Sequence, residues 1–172
     1  QSNERWEEEK NIVKTMLAKK IDGLAISLAS ETTDYKHFDA VISRGVPVVF
    51  FDRVPLDKRS SCVRIDNRTA AYNAVMHLIK QGCTRIVHLS GPQAISVYKD
   101  RQDGYVQALM DSDIRVDSSL IFENSITLAT GEEAGKKILA MPVLPDAIFS
   151  AGDYSAMGVM HVLKKNGVKV PE

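Results

Sequence analysis

The stretch Gly45-Val46-Pro47-Val48-Val49-Phe50-Phe51-Asp52-Arg53 is apolar for six residues and then ends abruptly on two charges. A short, continuous apolar run of this kind is expected of a strand covered by helices on both faces, the situation inside a parallel sheet. The segment before it, Tyr35 to Arg44, reads as a helix with Phe38, Val41 and Ile42 turned inward, and Gly45 stands where a helix C-cap glycine belongs. The same unit recurs along the chain. Six apolar runs each end in polar or turn residues: Ser27, Asp52-Arg53, Asp66-Asn67, Ser90-Gly91, Glu123-Asn124 and Gly152-Asp153. In a parallel sheet every such joint emerges along one edge, where open α/β sheets hold ligands.

Working outward, Glu4 to Lys20 reads as a helix with Ile12, Val13, Met16 and Leu17 on one face and Glu7, Glu8, Lys10 and Lys14 on another. Ile21 to Leu28 reads as a strand, as does Cys62 to Ile65. The helix that follows carries the clearest periodicity in the chain, Ala71, Ala74, Val75, Leu78 and Ile79, ending at Gly82. Arg85 to Leu89 returns as a strand. Arg101 to Met110 places Tyr105, Ala108 and Leu109 on one helical face, and Thr130 with Glu133 has the spacing of a capping box before Ile138 and Leu139. Ala147 to Ser150 is the last strand, and Asp153 is placed to N-cap a helix whose inner face is Ala156, Val159, Met160 and Leu163, stopped by Gly167. Alternating strand and helix requires right-handed crossovers and parallel sheets. The irregular stretches, Arg53 to Ser61 and Gly91 to Asp100, are polar loops long enough to shape a binding mouth. The chain opens on a helix and stops at Pro171-Glu172, where an α/β unit would launch its next strand, so flanking segments are expected at both ends.

Composition narrows the function. At 172 residues and 44% hydrophobic the chain can bury a real core. Lys plus Arg and Asp plus Glu balance at 22 each, so this stretch carries no cationic excess for a phosphate backbone. No run approaches the roughly 20 apolar residues of a membrane span. The polar start, Gln1-Ser2-Asn3-Glu4-Arg5, has no secretory-signal pattern, and two distant cysteines, Cys62 and Cys83, fit a reducing cytoplasm. There is no GxSxG elbow, HExxH, Walker loop or GxGxxG, so no enzyme class is supported. A receiver domain also puts an Asp at a strand end, but it needs further carboxylates and a metal that nothing beside Asp52 supplies. His37, His77 and His161 lie on helices without metal-ligand spacing, and His88 reads as a core residue. No cofactor and no metal are expected.

The sequence resembles the effector-binding region of LacI/GalR-type transcription regulators and the related periplasmic sugar-binding proteins. The resemblance rests on Asp22-Gly23-Leu24-Ala25-Ile26-Ser27, on Gly45 to Arg53, and on Ile65-Asp66-Asn67 leading into His77-Leu78-Ile79 and Gly82. Arg85-Ile86-Val87 with Gly91-Pro92, Arg101 with Gly104-Tyr105 and Ala108-Leu109, and Gly152-Asp153 with Ala156-Met157-Gly158 continue it in order. It implies an α/β fold of two Rossmann-like lobes with parallel sheets, periplasmic-binding-protein-like, incomplete at both ends, with a small molecule held between the lobes. By analogy residues 1–66 form the N-terminal lobe, lacking its first strand, and residues 67–172 the C-terminal lobe, lacking its last strands. A helix-turn-helix would precede Gln1. Ala70 and Ala71 stand where a Gly is usual and Cys83 where a His is common.

Five residues are candidates for ligand contact. Asp52 ends a buried strand, and its carboxylate can accept two sugar hydroxyls or an amine, or else cap the following loop. Arg53 offers a planar fork of donors suited to oxygen-rich ligands; in the sugar-binding relatives an Asp-Arg pair at this position grips the ligand. Arg101 reads as the start of a helix, where a cation opposes the helix dipole, so a ligand or a facing carboxylate should be its partner. Asp153 is an N-cap that the family pattern also places against ligand. Asp66, near the expected crossover, reads first as structural. Ile126 falls where relatives carry a stacking aromatic. The reading is a sugar or sugar-derivative effector, operator DNA bound through the missing head, and a cytoplasmic homodimer. The alternative is an extracytoplasmic sugar-binding component of a transporter or receptor.

Overall fold

In a computed structural model, which describes residues 1–55 and 60–171, the chain is α/β and divides into two compact units, Gln1–Ile65 and Asp66–Glu172. The first contains α1 (Trp6–Ala18), β1 (Leu24–Ile26), a 3-10 turn (Lys36–Phe38) running into α2 (Asp39–Ser43), β2 (Val48–Phe51) and β3 (Ser61–Val63). The second contains α3 (Asn67–Lys80), β4 (Ile86–Leu89), α4 (Ser96–Met110), a 3-10 turn (Ser118–Leu120), β5 (Ile121–Phe122), α5 (Leu128–Leu139), β6 (Ala147–Ser150) and α6 (Asp153–Lys165). Each unit has a three-stranded sheet, ordered β1-β2-β3 and β5-β4-β6, and every pairing is parallel. Within each sheet, therefore, all strand C-termini share one edge. Alternation with helices fails at one place: β2 leads to β3 without a helix among the described residues, and part of the expected Arg53 to Ser61 loop lies outside them.

The apolar run that decides the fold is a strand, but not one covered on both faces. Val48 and Phe50 are buried, whereas Val49 is 37% and Phe51 45% exposed. Val13 of α1 and Phe38 and Val41 of the second helical segment pack with Ile26, Val48 and Phe50 on the same side of the sheet. The register then puts Val49, Phe51 and Val63 on the other face. Strand β4 shows the expected double cover instead. Ile86 packs with Val75, Tyr105, Ala108 and Leu109 of α3 and α4, while Val87 and Leu89 pack with Ala134, Ile138, Val159 and Leu163 of α5 and α6. All four residues of β4 are buried.

Other local expectations shift. Helix α4 begins at Ser96, not Arg101, because Ile95 and Val97 are buried and anchor an extra turn, which shortens the expected loop from Gly91. The capping box of α5 lies one turn early, with Thr127 as cap and Thr130 returning the bond, so Glu133 takes no part. On α6 the inner face includes Ser155, Gly158 and Val162, and Met160 is 38% exposed. The cause is α5: Gly131 lies against the Ser155 backbone and Gly158 against Leu128 O and Glu132 N, so two missing side chains let the helices pack backbone to backbone.

His88 is fully buried on β4, stacked 4.9 Å from both Tyr105 and Phe149. Its Nδ1–H donates to the Phe149 carbonyl (3.1 Å), and Nε2 has no hydrogen-bond partner among the described residues. Burial pushes its pKa down to about 4, against the smaller opposing effect of the Phe149 hydrogen bond. The folded chain thus holds fewer protons than the unfolded chain between pH 6.5 and 4, so stability present above pH 6.5 is lost as pH falls through that window. About 2 kcal/mol should be gone by pH 5 from this group alone. Denaturant melts of His88→Leu against pH should lose that slope; an unchanged slope would assign the acid sensitivity elsewhere.

Candidate functional site

In the first unit the strand ends carry Ser27 after β1 and Asp52-Arg53 after β2. Asp52 is exposed and adopts φ +57°, a left-handed conformation for a side chain other than glycine. Its N–H still donates to Val63 O (3.1 Å), so the strand pairing runs up to the turn and stops there. Backbone strain of this kind costs on the order of 1 kcal/mol and concentrates at functional turns. Asn124, in the joint after β5, repeats it at φ +58°.

Arg53 is held by a carboxylate that sequence reading passed over. Its Nη1 and Nη2 donate to Glu4 Oε2 and Oε1 at 2.5 and 2.8 Å, a bidentate pair. The Ser30 N–H donates to the same carboxylate (2.8 Å). The Arg53 hydrogen bond, aided by Ser30 and opposed by partial burial, holds the Glu4 pKa below the usual carboxylate range. A groove of about 530 Å³ runs beside this pair, lined by Ile12 and Met16 of α1, by β1 and by Phe51, with Glu4 and Arg53 at one end.

A second missed residue holds this edge from beneath. Glu9 is 5% exposed and accepts from the Ala29 N–H (2.6 Å), the Thr32 hydroxyl (2.8 Å) and His37 Nε2 (2.8 Å). Burial raises its pKa, but the hydrogen bonds from His37, Ala29 and Thr32 outweigh burial and leave it lowered. It ties α1 to the loop after β1. Nothing in the spacing marks it, since Glu7, Glu8 and Glu9 are consecutive and only the fold says which one turns inward.

In the second unit Arg101 sits in the second turn of α4, half-buried, so the helix-terminus misfit expected of it does not arise. Neither a carboxylate nor a helix end explains its partners. Nε donates to Asn67 Oδ1 (3.0 Å) and Nη1 to the Ala151 carbonyl, which joins the start of α3 and α4 to the end of β6. Asn67 is 3% exposed, a site neighbour missed although it stands at one of the six joints. Asp66 caps α3, accepting from the Thr69 N–H (3.0 Å) and hydroxyl (2.8 Å). Asp153 is not the expected cap: Gly152 occupies that position without a side-chain bond, and Asp153 is the first residue of α6 with its side chain exposed. Ser155 Oγ turns to Ser150 Oγ (2.7 Å) and the Gly152 carbonyl (3.1 Å) instead. Arg101, Asn67 and Asp66 are brought together, and Asp153 stands at the end of β6 beside the Ala151 carbonyl that Arg101 grips.

Among the described residues no group of three or more His, Cys, Asp or Glu could hold a metal, and no helix is long and apolar enough to cross a membrane. Polar groups at parallel strand ends thus account for the chemistry on view. Residues 2–172 match the family model described as periplasmic binding proteins and sugar binding domain of LacI family. The chain belongs to that family. The HTH-type transcriptional repressor CytR of Escherichia coli K12 is 34% identical over 169 residues, covering 96% of this chain and 48% of the relative. A crystal structure of the transcription regulator CcpA of Lactococcus lactis superimposes with a TM-score of 0.86 at 27% identity, over 99% of this chain and 61% of that one. The transcriptional regulator CelR in complex with cellobiose does so with a TM-score of 0.82 at 28% identity, over 97% of this chain and 51% of that one. The chain spans about half the length of the curated relatives it matches. These family members are transcriptional regulators, not enzymes.

Proposed function

We propose that this chain is the small-molecule effector-binding region of a LacI-type transcription regulator, with a sugar or sugar derivative as effector. The observation that carries the reading is the set of polar side chains at parallel strand ends: Asp52 and Arg53 in the first lobe, and Arg101, Asp153 and Asp66 in the second. Cellobiose bound to CelR supports a carbohydrate, and the repressor relatives favour the regulator over a transport component. We read the protein as a cytoplasmic binder rather than an enzyme. A helix-turn-helix head outside this chain would contact operator DNA, and a homodimer would match the two-fold symmetry of such operators. Effector binding biases the head, and linkage is reciprocal: an effector that weakens operator affinity binds less tightly to the operator-bound form.

The test is a calorimetric and thermal-shift screen of neutral sugars, sugar phosphates and nucleosides against the full-length protein. One compound should bind saturably and alter operator affinity in a fluorescence-anisotropy titration. With that compound, Asp52→Asn should weaken binding more than tenfold while leaving the melting temperature nearly unchanged, because asparagine tolerates the left-handed backbone at this position. Equal affinity in wild type and variant would remove Asp52 from the site. A screen without a saturable ligand would remove the reading.

A further inference from the structure

Arg53 is the cation best placed to receive an anionic group at the first lobe's strand edge, yet both arms of its fork already carry the Glu4 carboxylate. Glu4 is itself held in place by the Ser30 N–H. With Asp52 adjacent, Glu4, Arg53 and Asp52 sum to one negative charge at this edge. We propose that Glu4 is a specificity-determining residue: by neutralising Arg53 with a bidentate carboxylate, it makes the site take a neutral, hydroxyl-bearing effector and reject the phosphorylated counterpart.

This deepens the effector-binding reading and rests on it. A phosphate approaching Arg53 must either displace Glu4, breaking two charge-assisted hydrogen bonds and driving Glu4 off the Ser30 N–H, or stack its charge against two carboxylates. A hydroxyl meets no such conflict. It can donate to the outer lone pairs of Glu4 and Asp52, since each carboxylate oxygen accepts more than one hydrogen bond.

The experiment uses inorganic phosphate as probe, titrated calorimetrically into the full-length protein at constant ionic strength. Wild type should show no saturable phosphate binding. Glu4→Gln should gain it by at least tenfold in affinity, because Arg53 then keeps an unneutralised charge, and the double variant Glu4→Gln/Arg53→Gln should lose it again. Glu4→Asp, which retains the charge but shortens the reach, should resemble wild type, and this controls for a merely disturbed loop. Phosphate binding by wild type that Arg53→Gln abolishes, or no gain in Glu4→Gln, overturns the proposal. Either result leaves the effector-binding reading standing, since that reading falls only if the neutral and phosphorylated compounds of the screen all fail to bind.

Discussion

Replacing Arg101 with alanine should weaken effector binding thirtyfold or more and lower stability together. The side chain donates from Nε to Asn67 Oδ1 and from Nη1 to the Ala151 carbonyl, and it does so from the half-buried second turn of α4. Hydrogen bonds from a charged donor contribute about 1.5–3 kcal/mol each, so the two together put the loss near 3 kcal/mol after relaxation. Affinity falls for a separate reason. The guanidinium braces the starts of α3 and α6 around the end of β6, and a binding edge loosened there misplaces Asp66 and Asp153. Arg101→Lys should rescue only in part, because one ammonium on a flexible stem cannot replace a planar fork aimed at two acceptors. Differential scanning calorimetry and ligand titration on the same samples separate the two effects. A variant that melts early yet binds at wild-type affinity would make Arg101 a brace alone.

Gly158→Val should be the most destabilising single change in the second lobe. A Cβ at Gly158 would collide with Leu128 O and Glu132 N, which are backbone atoms of α5 and cannot rotate away. Helices α5 and α6 must separate, and Ala134, Ile138, Val159 and Leu163, which cover β4 from that side, lose their close packing. Overpacking costs typically 1–3 kcal/mol where side chains can adjust; with backbone on both sides about 4 kcal/mol is expected, enough to threaten the fold of a small lobe. Chemical denaturation followed by far-ultraviolet circular dichroism reads it. A loss under 1 kcal/mol would show that the two helices can part without disturbing the core.

The elements that sequence marks well here are those whose own periodicity is enough. The run from Val46 to Phe51, the helix carrying Ala71, Val75 and Ile79, and the strand Ala147 to Ser150 are all present close to where their patterns put them. What failed was what depends on a neighbour. Phe51 is as apolar as Phe50, yet only Phe50 is covered, because α1 and α2 lie on one side of the first sheet. Arg101 has a helical context either way, but Ile95 and Val97 add the turn that takes it away from the helix start. Glu4 and Arg53 are 49 residues apart and no spacing rule connects them.

The order of apolar runs and polar joints was sufficient to determine parallel sheets, their helices and the placing of Asp52, Arg53, Asp66 and Asp153 at strand ends, because side-chain periodicity and chain direction are local properties that survive without a partner. Tertiary structure alone decided which side chains hold one another: Glu4 on Arg53, Glu9 on His37 and the loop after β1, Arg101 on Asn67 and Ala151. Hydrogen-bond partners and buried charges follow from distances across the fold, and distance between residues far apart in the chain is not encoded in any short window of sequence.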